Sequence, residues 1–319
     1  MPDTVILGHE RQREALLDDL AQDNVSHAYL FEGPPHIGKF TVARWFARML
    51  LLHGLGDAAR ADAESRIDRL LHPDLLMLDQ LWIEERCEDW AVIGRTSNVP
   101  QEHRMKAKAK TDAISIDDVR VIQDRLYETG MGAYRCCCLR SAERMQPPAA
   151  NALLKILEEP PPGRVFFLTT QHRALLPPTV VSRTRVIPFY RLPDTALQPL
   201  LEEQDPDAVR FLLHLAQGAP GLLLRLRADS DLLLREKQLH ASAARVWQGT
   251  LFERLRLLQP LAERGEEADR FLLHLALTAR ELTQPPAEAI AAFHRLSGGL
   301  ETNAHRGLLI QQFAMALGE

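Results

Sequence analysis

The chain has 319 residues, of which 46% are hydrophobic and 25% charged, and its formal net charge is −5. Such a length exceeds the usual ceiling for one core, so two or three domains are expected, with the composition of an ordinary soluble globular protein. The negative balance argues against strong nonspecific attraction of the whole chain to nucleic acid, and no apolar run reaches the ~18 residues of a membrane span. The opening MPDTVILGHERQRE lacks a basic start, a long apolar stretch and a small-residue cleavage site, so a cytoplasmic location is expected.

In HERQREALLDDLAQD, Leu16, Leu17 and Leu20 recur at helical intervals. The apolar AYLF (28–31) reads as a strand, GPPHIGKF (33–40) as a loop, and the following residues as a helix to about Leu52. HPDLLMLD (72–79) reads as a second strand. SIDDVRVIQDRLYETG opens with Ser115 and, three residues on, Asp118, a capping-box start for a helix ending at Gly130. YRCCCL (134–139) is a third strand, PPAANALLKILEEPPP a helix bracketed by prolines, RVFFLTT (164–170) a fourth strand and RTRVIPF (183–189) a fifth. Nearly continuous apolar strands separated by helices predict an α/β domain built on a five-stranded parallel sheet, covered on both faces.

Residues 80–112 form a polar insertion too long for a tight connection, and we expect it to be partly ordered. After about Pro193 the strand signals stop, and leucine-rich helical segments follow whose stripes read as helix-bundle core. The cysteines are Cys87 and the consecutive Cys136, Cys137 and Cys138. Neighbours on a strand point to opposite faces, so the triplet cannot converge on a metal and offers no disulfide framework. Free thiols in an apolar strand fit a reducing cytosol.

Gly33, Gly38 and Lys39 stand where the phosphate-loop pattern G-x-x-x-x-G-K-[ST] requires them, between a strand and a helix. The last position is Phe40, which removes the hydroxyl that would hold Mg²⁺. Thr41 is next, but one helical residue is a rotation of ~100°, so it is expected to face elsewhere. A working site also needs acidic residues at the end of a buried strand, where this chain has Arg140 and Ser141. Glu143 follows and reads as a surface or capping carboxylate. With both metal-handling positions lost, two readings stand: a loop kept for its tight turn, or a nucleotide bound without hydrolysis.

Residues 147–184, PPAANALLKILEEPPPGRVFFLTTQHRALLPPTVVSRT, resemble the clamp-loader branch of the AAA+ ATPases, in particular the clamp loader of bacterial DNA polymerase III. ILGHERQREAL, SHAYLFEGPPHIGK, HPDLLML, ISIDDVRVIQDRL, the GAPG turn and NAHRGLL (303–309) extend the resemblance along nearly the whole chain. It implies an AAA+ nucleotide-fold domain at 1–189, a small helical lid at 190–228 and an all-α collar at 229–319. It also implies that Arg183, after Ser182, is an arginine finger supplied in trans to a neighbour's ATP, although Thr184 stands where the family has cysteine. An arginine's planar fork and permanent charge suit a phosphate. Thr169 and Thr170 match the family's first sensor position, or simply end a strand.

The implied protein is a non-hydrolysing subunit, not an enzyme by itself, that helps load a sliding clamp onto primed DNA. Its implied partners are the gamma/tau ATPase subunits and the delta subunit, with no membrane. An active ATPase motor would require Ser or Thr at 40 and Asp-Glu at 140–141; an AAA+-like regulator outside replication is the third reading. The family often carries a four-cysteine zinc module after the first helix, but residues 53–73 contain no cysteine, and His53 and His72 read as surface or capping residues. No zinc is expected, and no cofactor is certain: ATP or ADP binding without hydrolysis stays open. The basic run HRMKAKAK (103–110) reads as a solvated tail or a contact for DNA phosphates.

Overall fold

The computed structural model describes residues 6–82, 93–106, 111–128, 130–201, 205–282 and 286–318. The chain divides into two compact units, Met1–Glu202 with Gly218–Leu222, and Glu203–Gln217 with Leu223–Glu319.

The first unit holds the predicted sheet. Its strands are β1 (Ala28–Glu32), β2 (Leu75–Leu78), β3 (Arg135–Leu139), β4 (Arg164–Thr170) and β5 (Arg185–Pro188), all parallel in the order β2-β3-β4-β1-β5. Residues of alternate parity enter separate cores. Tyr29, Phe31, Cys136, Cys138 and Phe167 pack on one face, and Leu30, Cys137, Leu139, Phe166 and Leu168 on the other. The three thiols thus point alternately, as expected for consecutive strand residues. Burial raises all of them, Cys138 to about 12 and the other two well above the usual thiol value.

Strand β2 covers only the apolar LLML of the expected 72–79, and Asp74 just before it is bonded elsewhere. Its Oδ2 accepts the Met131 and Gly132 amides at 2.9 and 3.0 Å, and its Oδ1 meets Arg135 Nη2 at 2.8 Å. His72 also has a local task, its Nδ1 accepting the Asp74 amide at 3.1 Å, as the capping reading expected.

The described part of the 80–112 insertion lies along β2. Met77 N donates to Asn98 Oδ1 at 2.7 Å and Asn98 Nδ2 donates to Leu75 O at 2.7 Å. Ser97 Oγ accepts the Asp79 and Gln80 amides, each at 2.9 Å, and Gln101 Oε1 accepts the Trp82 amide at 2.8 Å. Asn98 therefore bonds the outer edge of β2, and Ser97 and Gln101 the backbone that follows it. The start of the basic run is neither a solvated tail nor a free phosphate contact. Arg104 Nε and Nη2 bond Asp118 Oδ1 and Oδ2 at 2.8 and 2.5 Å, and His103 Nε2 is 2.9 Å from Oδ1. The predicted capping box is present, with Ser115 and Asp118 bonded reciprocally. Residues 107–110, the end of that run, and Cys87 lie outside the described residues.

The second unit is helical throughout its described residues, including Pro206–Ala216, Ser230–Gln248, Leu251–Leu257, Glu266–Glu281, Ala287–Leu300 and Arg306–Ala316. Trp247, Phe271, Leu275 and Phe313 occupy its core, and Trp247 Nε1 donates to Thr278 Oγ1 at 2.9 Å. Among the described residues no helix is long and apolar enough to cross a membrane.

Candidate functional site

Loops after parallel strands converge at their carboxyl ends, and the site lies there, beyond β1, β3 and β4. Strand β1 leads into the loop 33–38, and the helix Lys39–Leu52 leaves it. Gly33 has φ +152°, and a Cβ there would come within 2.4 Å of Phe189 O, so only glycine fits. Gly38 has φ +104° at the helix N-cap. A cavity of about 270 Å³ opens against this loop. It is lined by residues 35–41 together with Arg140, Ser141, Glu143, Thr169, Thr170, Gln171 and Gly221.

Lys39 turns back on its own loop, where Nζ donates to Gly33 O at 2.5 Å and Pro34 O at 2.6 Å. Burial pushes its pKa from 10.5 down to about 8, with Glu143 opposing and Arg140 adding to the shift. The loop keeps its lysine in a form that meets either its own carbonyls or an anion. Thr41 also borders the cavity, contrary to its expected turn away, because the first helical turn stands at the rim and residues 39–41 all reach it.

The two metal-handling positions hold Phe40, which has no ligand atom, and Arg140, itself a cation, with Ser141 beside it. Phe40 lies beside Arg140, whose Cζ is 5.8 Å from the ring centre. Arg140 Nη1 donates to Asp79 Oδ1 at 2.8 Å, so the carboxylate at the end of β2 is paired with this guanidinium. Glu143 is no surface carboxylate: it lines the cavity, accepts the Gln171 amide at 3.4 Å through Oε1, and buries Oε2. The 3₁₀ turn Ala142–Arg144 that follows β3 curls it inward.

Thr169 and Thr170 are buried at the end of β4. Thr169 Oγ1 accepts the Ser141 amide at 3.0 Å, and Thr170 Oγ1 donates to His172 O at 3.2 Å. Both threonines therefore order the cavity wall.

Ser182 and Arg183 lie apart from the cavity lining, after the short helix Pro178–Val181. Ser182 Oγ donates to Thr179 O at 3.1 Å. Arg183 Nη2 is 3.0 Å from Glu158 Oε1, and Nη1 donates to Thr179 O at 3.1 Å, with the side chain 36% exposed. The structure thus brings Gly33, Gly38, Lys39 and Thr170 together and holds Arg183 on an outward segment.

Two supports of the loop were not foreseen. His9, buried and left-handed at φ +62°, lies with Nε2 2.8 Å from Ile37 O and its ring 4.8 Å from that of Phe189. The GAPG turn does more than punctuate: Gly221 N donates to His36 O at 2.9 Å, and a Cβ on Gly221 would approach that oxygen to 2.8 Å. Neither contact leaves a periodic signal in the sequence; the paired glycines of GAPG are the one hint.

A family model described as DNA polymerase III, delta subunit, matches residues 8–193. Among solved structures the chain is similar to a DNA polymerase III gamma subunit-related protein of Thermotoga maritima, at 17% identity and TM-score 0.45, covering 96% of this chain and 98% of that one. It is also similar to a variant of Thermotoga maritima RuvB at 14% identity and TM-score 0.47, covering 88% and 90%. A second RuvB variant of that organism matches at 13% identity and TM-score 0.41, covering 85% and 70%. No curated protein matches the chain.

Proposed function

The chain belongs to the DNA polymerase III delta-subunit family of replication clamp-loader proteins, and from that premise we propose that it is the delta prime type of subunit, which hydrolyses no ATP itself. One observation carries the reading: the cavity holds Phe40 and Arg140 where phosphoryl transfer needs a metal-binding hydroxyl and carboxylate. Without those two ligands Mg²⁺ loses the anchors of a working phosphate site, and the charge on the transferring phosphoryl group is poorly neutralised.

In this reading the chain is a fixed member of a ring of subunits. It offers Arg183 to ATP held by an adjacent gamma/tau motor subunit and, with the delta subunit, helps load the sliding clamp onto primed DNA. An arginine in an ion pair with a half-exposed carboxylate is easily released to a stronger anion, since surface pairs are worth only about 0–1 kcal/mol. Its place outside the chain's own cavity suits a finger acting on a neighbour.

A second reading concerns binding alone. Lys39, the loop amides and the cavity suit an ADP or ATP held without turnover, in competition with the Gly33 and Pro34 carbonyls. The purified chain tests both. We expect ATP turnover at background, and calorimetric binding of ATP or ADP that does not change when Mg²⁺ is added. Magnesium-dependent turnover overturns the non-hydrolysing reading, and an absence of heat for both nucleotides overturns the second.

A further inference from the structure

The stretch RFLLHLA occurs twice, at 210–216 and 270–276. The first copy lies in the helix Pro206–Ala216 and the second in Glu266–Glu281, both in the helical unit. Between their histidines stands His240 of the helix Ser230–Gln248. The His240 ring is 5.5 Å from that of His214 and 5.6 Å from that of His274, edge-on to each. A repeated heptapeptide therefore sets one imidazole on either side of a third.

Glu281 closes the group. Its Oε1 lies 3.1 Å from His214 Nε2 and its Oε2 3.3 Å from His240 Nε2. The ligand atoms of His214, His240 and Glu281 all fall within 4.8 Å of one another. A tetrahedral Zn²⁺ at about 2.0–2.1 Å from nitrogen and oxygen donors holds those donors about 3.4 Å apart. Each imidazole nitrogen already stands near that spacing from one oxygen of the Glu281 carboxylate. His214 Nε2 is buried and makes no hydrogen bond, despite its distance from the carboxylate.

The tautomers point the same way. His274 Nε2 is in short contact with Glu236 Oε2, a carboxylate it shares with Arg270, and His274 Nδ1 lies 3.4 Å from His240 Nδ1. With His274 donating Nε2–H to Glu236, its Nδ1 accepts from His240 Nδ1–H. In that tautomer His240 Nε2 turns its lone pair toward Glu281 Oε2, the arrangement a cation needs. Two lone pairs repel at that distance, and a cation between them turns the repulsion into ligation.

We propose that His214, His240 and Glu281 form a site for a divalent transition cation of the Zn²⁺ class, with His274 and Glu236 as positioning residues that fix the His240 ring. Two imidazoles and one carboxylate suit Zn²⁺ and its neighbours in the transition series, with a fourth position for water. A carboxylate behind a ligating histidine through its second nitrogen is the usual outer support, here extended by one ring. Bound there, the ion ties three helices together. The expectation of no zinc was drawn for the whole chain from the missing cysteines at 53–73, and the proposal departs from it on the geometry of these helices. The proposal is independent of the clamp-loader reading.

The test uses the full chain, stripped with chelator and titrated with Zn²⁺ alone by calorimetry, then with Co²⁺ followed by its visible absorption. One equivalent is expected to bind, with a rise in Tm and a Co²⁺ spectrum of a low-coordinate nitrogen and oxygen site. Glu281→Gln, at a half-exposed position, and His240→Ala are each expected to abolish the stoichiometric step while leaving the far-ultraviolet circular dichroism of the chain unchanged. His274→Ala is expected to weaken it by about 10–100-fold. His172→Ala, exposed and outside the cluster, is expected to leave it unchanged. Absence of a one-equivalent step, or the same step in Glu281→Gln, overturns the proposal.

Discussion

The Arg140 guanidinium lies over the Phe40 ring, with 5.8 Å between its Cζ and the ring centre. The two positions that a working phosphate site would give to metal ligands are therefore in contact with each other. The cation that replaces a carboxylate rests on the ring that replaces a hydroxyl, and a pair of this kind is worth about 0.5–1 kcal/mol. Restoring either ligand alone leaves the other half in place. Phe40→Thr is thus expected to show ATP turnover at background in a phosphate-release assay. Turnover appearing in the single variant counts against Arg140 as a block.

Arg183→Ala is expected to cost the isolated chain no more than about 1 kcal/mol, the usual limit for an exposed ion pair such as that with Glu158. In the reconstituted clamp loader, turnover at the ATP site facing Arg183 is expected to fall by ~10³-fold, with assembly intact. Arg183→Lys keeps the charge but loses the planar fork, so it should recover only part of that rate. An unchanged single-site rate removes the finger assignment.

Lys39→Met should stabilise the chain at pH 7. A lysine whose folded pKa is depressed to about 8 from 10.5 is held charged at a cost below pH 8, because the unfolded chain binds the proton more tightly. The wild type recovers as pH rises from about 8 toward 10.5, so the difference between the two proteins should shrink across that window. Its size at pH 7 is on the order of 3 kcal/mol at most, reduced by the bonds lost to Gly33 and Pro34. Urea unfolding at pH 7 and pH 10 measures it. An equal difference at both values means that Lys39 titrates normally.

Asp118→Asn works in the opposite direction. Burial alone would raise this carboxyl, but the bonds from Arg104 and then Ser115 outweigh it and hold the pKa below the ordinary value. The stabilisation is present above the unfolded carboxyl's pKa and is lost as pH falls through the folded one. Removing one partner of a buried pair typically costs 3–5 kcal/mol, so a loss of about that size is expected at pH 7. It should diminish below about pH 4. A flat pH profile for the difference contradicts the assignment.

Much of the first unit was legible because its strands are short, nearly continuous apolar runs and its helices carry strong ends. The Ser115–Asp118 box and the register-forming triplet Cys136–Cys138 needed no tertiary information. Other features depended on partners remote in sequence. Glu143 reads as an ordinary surface carboxylate until the turn after β3 curls it toward Lys39. Arg140 reads as a misplaced cation until Asp79, 61 residues away, is seen to pair with it. The leucine periods around His214 and His274 describe a core correctly, yet hydrophobic periodicity says nothing about the histidines carried on the same helices. Polarity made the insertion look loose, whereas three of its side chains, on Ser97, Asn98 and Gln101, were committed to backbone groups of β2 and the residues after it.

That last arrangement has a bearing on solubility. An outer strand with open amides and carbonyls is a template on which a second chain can add a strand of its own. The Asn98 side-chain amide bonds Met77 N and Leu75 O, and its backbone N–H donates to Met77 O at 3.0 Å, much as a neighbouring strand would, over one residue only. The inserted residues thus act as a stopper against self-association. Trimming Ser97–Gln101 would remove no part of the phosphate-loop cavity, yet it would bare backbone groups at the edge of β2, and self-association is the expected result.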